Sequence, residues 1–90
     1  MANSKSAKKR IRQNEVRRQR NVRVRSRLRT SISHFQKAVE AGNLEEAEAK
    51  FRNVESLLDR AVGKGVIPKK RASRKTSRLA KKLSALQANA

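Results

Sequence analysis

Residues 39–47 read Val39-Glu40-Ala41-Gly42-Asn43-Leu44-Glu45-Glu46-Ala47, a stretch that closes one helix and opens another. Gly42 suits the left-handed residue just past a helix end. Asn43 with Glu46 three positions later has the spacing of a capping box, which starts the next helix. A connection this short makes the two helices antiparallel neighbours.

Working outward, each flank carries one apolar stripe at helical spacing. Upstream it consists of Val24, Leu28, Ile32, Phe35 and Val39, and downstream of Leu44, Ala47, Phe51, Val54, Leu58 and Ala61. The next breakers are Gly63 to Gly65 and Pro68, after which Ala72, Thr76, Leu79, Leu83 and Leu86 form a third stripe. Pro68 fits the first turn of a third helix, where a missing N–H costs nothing. Apolar residues nowhere alternate as in a strand, and the aromatics are only Phe35 and Phe51. The reading is all-α: an up-down-up three-helix bundle in a single domain over residues 1–90, with helices over about 6–41, 44–62 and 68–86.

Before Val24 the stripe fails, because Ala7, Ile11, Val16 and Val22 do not share a face. A first helix of that extent is about 50 Å long, roughly twice the second, so its first half projects as a bare basic rod. The core is thin, since chains of this size bury only about 60 to 65% of their unfolded surface.

Charge divides the chain into three. Residues 1–30 carry 12 basic and 1 acidic side chain, residues 31–62 carry 4 and 6, and residues 63–90 carry 9 and 0, for a net charge of +18. Self-repulsion on that scale calls for a polyanion. Two basic blocks around an acidic middle imply that the ends act together.

Taking Arg17 as the origin at 100° per residue, the first stripe centres at about 25°. Arg18, Arg25 and Arg29 fall near about 100°, and Arg20, Arg23 and Arg27 between about 240 and 300°. Two arginine rails thus border the stripe, with Gln19, Ser26, Thr30 and Ser33 on the far side, where a sugar–phosphate backbone fits closely. Arginine stems can also flank a core and carry their heads into water. Against that bland reading stands the shortage of acid, since Glu15 is the only carboxylate in the first 39 residues. Like-charged pairs such as Lys8 with Arg12, Arg23 with Arg27 and Arg25 with Arg29 each cost roughly 0.2–0.5 kcal/mol without an external partner. The third helix repeats the theme with Lys69, Lys70, Arg71, Arg74, Lys75, Arg78, Lys81 and Lys82. Arginine offers a planar fork for phosphate and lysine a point charge, so the first helix makes the more defined contacts.

Nothing assembles a catalytic centre. The carboxylates lie mostly on the second helix, where Glu46 with Lys50 and Glu48 with Arg52 have a favourable local spacing and Arg60 complements the negative helix end. His34 has no second histidine, cysteine or nearby carboxylate to orient it. Gly63-Lys64-Gly65 lacks the strand and the Gly-Lys-Ser/Thr ending of a phosphate loop and reads as a flexible turn. Cysteine is absent, which excludes disulfides and thiolate metal sites. No cofactor, metal, small-molecule substrate or second copy of the chain is expected. No apolar run reaches membrane-span length and no secretory signal opens the chain, so a cytosolic setting, or the organelle equivalent, is expected.

Among polyanions, a membrane surface would demand a broad apolar face that the rod lacks. Sequence-specific duplex DNA would demand a reading triplet of Asn or Gln, although non-specific DNA binding of the nucleoid type stays open. Single-strand readers stack bases on aromatics, and both Phe belong to the core. Folded RNA, with phosphates of adjacent helices bridged by a rod, remains.

Four stretches carry a family resemblance: MANSKSAKKR at 1–10, SRLRT at 26–30, EAGNLEEA at 40–47 and KGVIPKKRASRKTSRLAKKL at 64–83. In this order, over nearly the whole chain, they resemble the twentieth-numbered protein family of the bacterial small ribosomal subunit. The resemblance implies a three-helix bundle with a long first helix that binds 16S ribosomal RNA directly and early in assembly, near the bottom of the subunit body, without catalysis. By matching positions it implies RNA contact at Lys5, Ser6, Lys8, Lys9, Arg10, Ser26, Arg29, Thr30, Lys64, Lys69, Arg74 and Ser77. Arg12, Arg17, Arg18, Arg20, Arg23, Arg25, Arg27, Lys70, Arg71, Lys75 and Arg78 join these as candidates from charge and position. The sequence departs from the family pattern at Ser4, where an apolar residue is usual, at Pro68, where His is common, and at Ser73 and Thr76, in a stretch usually richer in Ala and Lys. The expected mechanism is coupled folding, with residues 1–23 becoming an ordered helix on RNA.

Overall fold

Gly42 adopts φ +72°, and the chain closes around it as the sequence requires. The amide of Gly42 donates to the Val39 carbonyl at 3.0 Å and that of Asn43 to the Ala38 carbonyl at 3.1 Å, the paired bonds of a Schellman motif. Asn43 Oδ1 then accepts from the Glu46 amide at 3.1 Å. The return half of the expected capping box differs. Glu46 Oε2 accepts from Asn43 Nδ2 at 3.3 Å, because the Asn43 amide is already committed to Ala38.

In this computed structural model, which describes residues 5–89, the chain forms α1 (Lys5–Glu40), α2 (Leu44–Gly63) and α3 (Lys69–Ala88). Met1 to Ser4 of the first family-like stretch, and with them the departure at Ser4, lie outside the described residues. Pro68 precedes α3 as its N-cap, with ψ 145°, one residue earlier than its expected place in the first turn. It caps nothing with its side chain.

The second turn is more ordered than its glycines imply. Gly65, at φ +74°, donates to the Val62 carbonyl at 3.0 Å, and Val66 donates to Ala61 at 2.9 Å. This is a second Schellman closure, and Val66 packs inward at 6% exposure as its hydrophobic contact. The flexible turn read from the sequence is therefore a defined corner, held by a buried valine.

Helices α1 and α2 run antiparallel in close contact and α3 returns along α2, while α3 touches α1 only sparsely. The core joins Leu28, Phe35 and Ala38 of α1 to Ala47, Val54 and Leu58 of α2 and Ala72, Leu79 and Leu83 of α3. Phe35 is fully buried with its ring centroid 5.8 Å from that of Phe51. The buried face of α1 also takes in Ser31, whose Oγ accepts from Asn53 Nδ2 at 3.3 Å. This face is turned from the centre of the large apolar residues toward Ser31 and Ala38. Ser31 and Ala38 are small, and Ala38 shares the core with Ala47 of α2.

Helix α1 has 36 residues against 20 for α2, or about 54 Å against 30 Å. Its buried positions begin only at Leu28. Ile11 and Val16 are 66% and 60% exposed, so the first half passes beyond the bundle uncovered. The radius of gyration of 17.8 Å reflects this, since a compact chain of this length has about 12 Å.

Candidate nucleic-acid interface

Packing three helices side by side leaves three grooves, and the charges are sorted among them. In the α1/α2 groove Arg20, Arg23 and Arg27 face Arg60 and Lys64 across a cavity of about 220 Å³ floored by Val24, Leu57 and Ala61. In the α1/α3 groove, left open by the sparse contact, Arg71, Arg74, Lys75 and Arg78 stand over Leu28, Ile32, Leu58 and Ile67. Lys75 reaches the same depression as Arg25 and Arg29. The two arginine rails of α1 thus belong to two different grooves, each completed by cations of another helix. Glu55 and Asp59 lie in the third groove, between α2 and α3, where they share a depression with Lys69, Ser73, Thr76 and Ser77, and Glu46 lines the far end of the α1/α2 groove with His34, Lys37 and Lys50.

Lys69 and Ser77 are therefore not brought to either basic groove, although they match the family pattern. Lys70 is exposed beside them at the start of α3. That helix has no side-chain cap and no acid in its first turn, so Lys69, Lys70 and Arg71 add to an already positive helix end.

Along the projecting rod Lys5, Ser6, Lys8, Lys9, Arg10, Arg12 and Arg17 are all exposed. Arg18 departs from its rail. Its Nη2 donates to Glu15 Oε1 at 3.0 Å, forming the one ion pair among the described residues. Such an exposed pair contributes about 0–1 kcal/mol. Gln19 Nε2 reaches the same carboxylate at 3.5 Å. Neither Glu46 with Lys50 nor Glu48 with Arg52 closes an ion pair. Glu46 turns to Asn43, and Glu48 Oε1 accepts from Gln87 Nε2 of α3 at 3.1 Å.

The small polar strip is present, with Ser26 and Thr30 exposed and Ser33 half-buried. Thr30 Oγ1 donates to the Ser26 carbonyl at 3.0 Å, so its hydrogen is engaged while its lone pairs remain open to solvent. Arg60 was legible only as a complement to the helix end. Its signal was the unpartnered like-charge spacing to Lys64, whose meaning depends on which side α1 occupies.

Among the described residues no helix is long and apolar enough to cross a membrane, and no group of three His, Cys, Asp or Glu side chains is placed to hold a metal ion.

Comparison with known proteins agrees with the resemblance. A family model described as Ribosomal protein S20 matches residues 2–84. A small ribosomal subunit protein bS20 from Thermobifida fusca is 54% identical over 87 residues, covering 97% of this chain and 95% of that protein. Proteins of the same name from Shouchella clausii and Gluconobacter oxydans are 49% and 50% identical, covering 98% and 96% of this chain and 100% and 97% of their own lengths.

Proposed function

The chain belongs to the ribosomal protein S20 family, and from that premise we propose that it binds 16S ribosomal RNA directly and stabilises the packing of RNA helices as the small subunit assembles. The family is one of ribosomal structural proteins, and the chain is not an enzyme. The setting we propose is the ribosome in the cytoplasm, with one copy of the chain acting alone on RNA.

The observation that carries this reading is the sorting of charge. The depressions beside α1 from Arg20 to Gln36 are lined by cations without a carboxylate, while Glu46 enters the α1/α2 groove only at its far end, beside Lys37 and Lys50, and Glu55 and Asp59 lie between α2 and α3. A molecule so divided offers RNA two basic sides and a rod. Phosphates from more than one RNA helix can be engaged at once, which suits the A-form, whose deep major groove excludes side chains. The contacts we assign are the exposed cations of the rod, the two rails with Ser26 and Thr30, and Lys64, Lys70, Arg71, Arg74, Lys75 and Arg78. Lys69 and Ser77 are assigned a peripheral place at the edge of the third groove.

Competition at fixed salt tests the proposal: 16S ribosomal RNA should displace duplex DNA of equal nucleotide content from the chain. Equal competition would support non-specific DNA binding instead. With about ten phosphate contacts, affinity should fall with salt at a log–log slope of about −9 by duplex arithmetic, and a flat response would contradict the electrostatic account.

A further inference from the structure

Arg60 lies in the last turn of α2 and lines the groove between α2 and α1. It and Lys64 are one turn apart, and across the groove Arg20, Arg23 and Arg27 continue along α1. Arg20 is steered into the groove, with Nη2 donating to the Lys64 carbonyl in a long hydrogen bond of 3.5 Å. That contact covers part of the negative helix end, about half an elementary charge, which would otherwise oppose an anion here. The floor of Val24, Leu57 and Ala61 is aliphatic, with Ala61 fully buried. It packs the arginine stems and keeps water from one side of the charged heads, where charge-assisted bonds gain strength.

Five cations and no carboxylate around about 220 Å³ repel one another unless an anion enters. We propose that this groove is a composite phosphate site in which Arg60 is an RNA-contacting residue, holding one backbone phosphate jointly with Arg23 and Arg27. The inference rests on the RNA-binding reading above and extends it to α2. Its location matters because Val24 is only half-buried and, among the described residues, none before Leu28 is buried. A phosphate here ties the rod to the bundle where the core gives out, so RNA itself supplies the contact that extends α1.

The test uses the full-length chain and 16S ribosomal RNA in filter binding at several salt concentrations. Arg60→Gln is compared with Arg52→Gln, which removes an exposed cation of α2 outside this groove. Arg60→Gln should weaken binding about tenfold more than Arg52→Gln, as loss of a charge-assisted contact does, and lower the salt slope by about 0.7–0.9. Arg60→Lys should recover part of the affinity, because the charge returns without the fork. Combined with Arg23→Gln, Arg60→Gln should cost less than the product of the two single losses, as expected for groups sharing one partner. A wild-type chain that prefers 16S ribosomal RNA, with Arg60→Gln and Arg52→Gln binding alike or with Arg23 and Arg60 strictly multiplicative, overturns the composite site alone. A wild-type chain with no preference for that RNA overturns the functional reading and this inference with it.

Discussion

The two halves of α1 share one continuous helix and have opposite reasons for being helical. From Leu28 to Ala38 the helix presents Leu28, Ser31, Phe35 and Ala38 to α2 and α3, and tertiary burial holds it. From Lys5 to Arg20 it is exposed apart from the half-buried Ala7, with like charges a turn apart and one ion pair. Isolated helices of about 12–15 residues are marginal in water even for favourable sequences. The second half is therefore a product of the fold, whereas the first half has no tertiary burial to hold it, which is the place the proposed RNA contact would fill. One secondary structure thus answers to two different free-energy terms.

The difference is most sharply exposed by truncating the anchored half. Phe35→Ala should cost about 3–5 kcal/mol, enough to unfold a thin bundle in a urea titration followed by circular dichroism. A loss under about 1 kcal/mol would mean the core is not what holds α1. In the exposed half the converse should hold. Gln13→Pro interrupts the rod at a local cost of about 3 kcal/mol, leaving the urea midpoint of the bundle unchanged while RNA affinity drops about a hundredfold. A shifted midpoint with unchanged affinity would reverse the assignment of the two halves.

Charge removal sharpens the comparison further. Arg25→Gln with Arg29→Gln should reduce the salt slope of RNA binding by between about 1 and 2. Free-state stability should rise slightly, because a like-charged pair is relieved. At the turn, Asn43→Ala should cost about 1 kcal/mol of stability through the lost cap and leave the salt slope alone. Smallest of all, Ile11→Ala should change stability by less than about 0.5 kcal/mol, since that side chain is 66% exposed.

Much of the fold was legible because its signals are local. Gly42 and Asn43 fix the first turn and the stripes fix the faces of α2 and α3, whereas the buried face of α1 is turned from its stripe toward Ser31 and Ala38. What escaped depends on how close the helices come. Ser31, Ala38 and Asn53 carry little hydrophobic weight, yet the close approach of α2 buries the first two and joins Ser31 to Asn53. Val66 looked like loop, and its burial follows from the Gly65 closure. Both arginine rails could be read from helical periodicity. Their separation into two grooves could not, because it depends on which flank of α1 each partner helix takes. Arg60 acquires its neighbours only through that packing, and Lys69 and Ser77 lose theirs for the same reason.

The central claim, that RNA rather than the core holds the first half of α1, is tested most directly by amide hydrogen exchange on the full chain, free and bound to 16S ribosomal RNA. Amides from Lys8 to Val22 should exchange almost without protection in the free protein and become protected on RNA. Those from Ile32 to Ala38 and from Val54 to Ala61 should be protected in both states. Equal protection of the two halves in the free protein, or no gain from Lys8 to Val22 on RNA, would contradict the account.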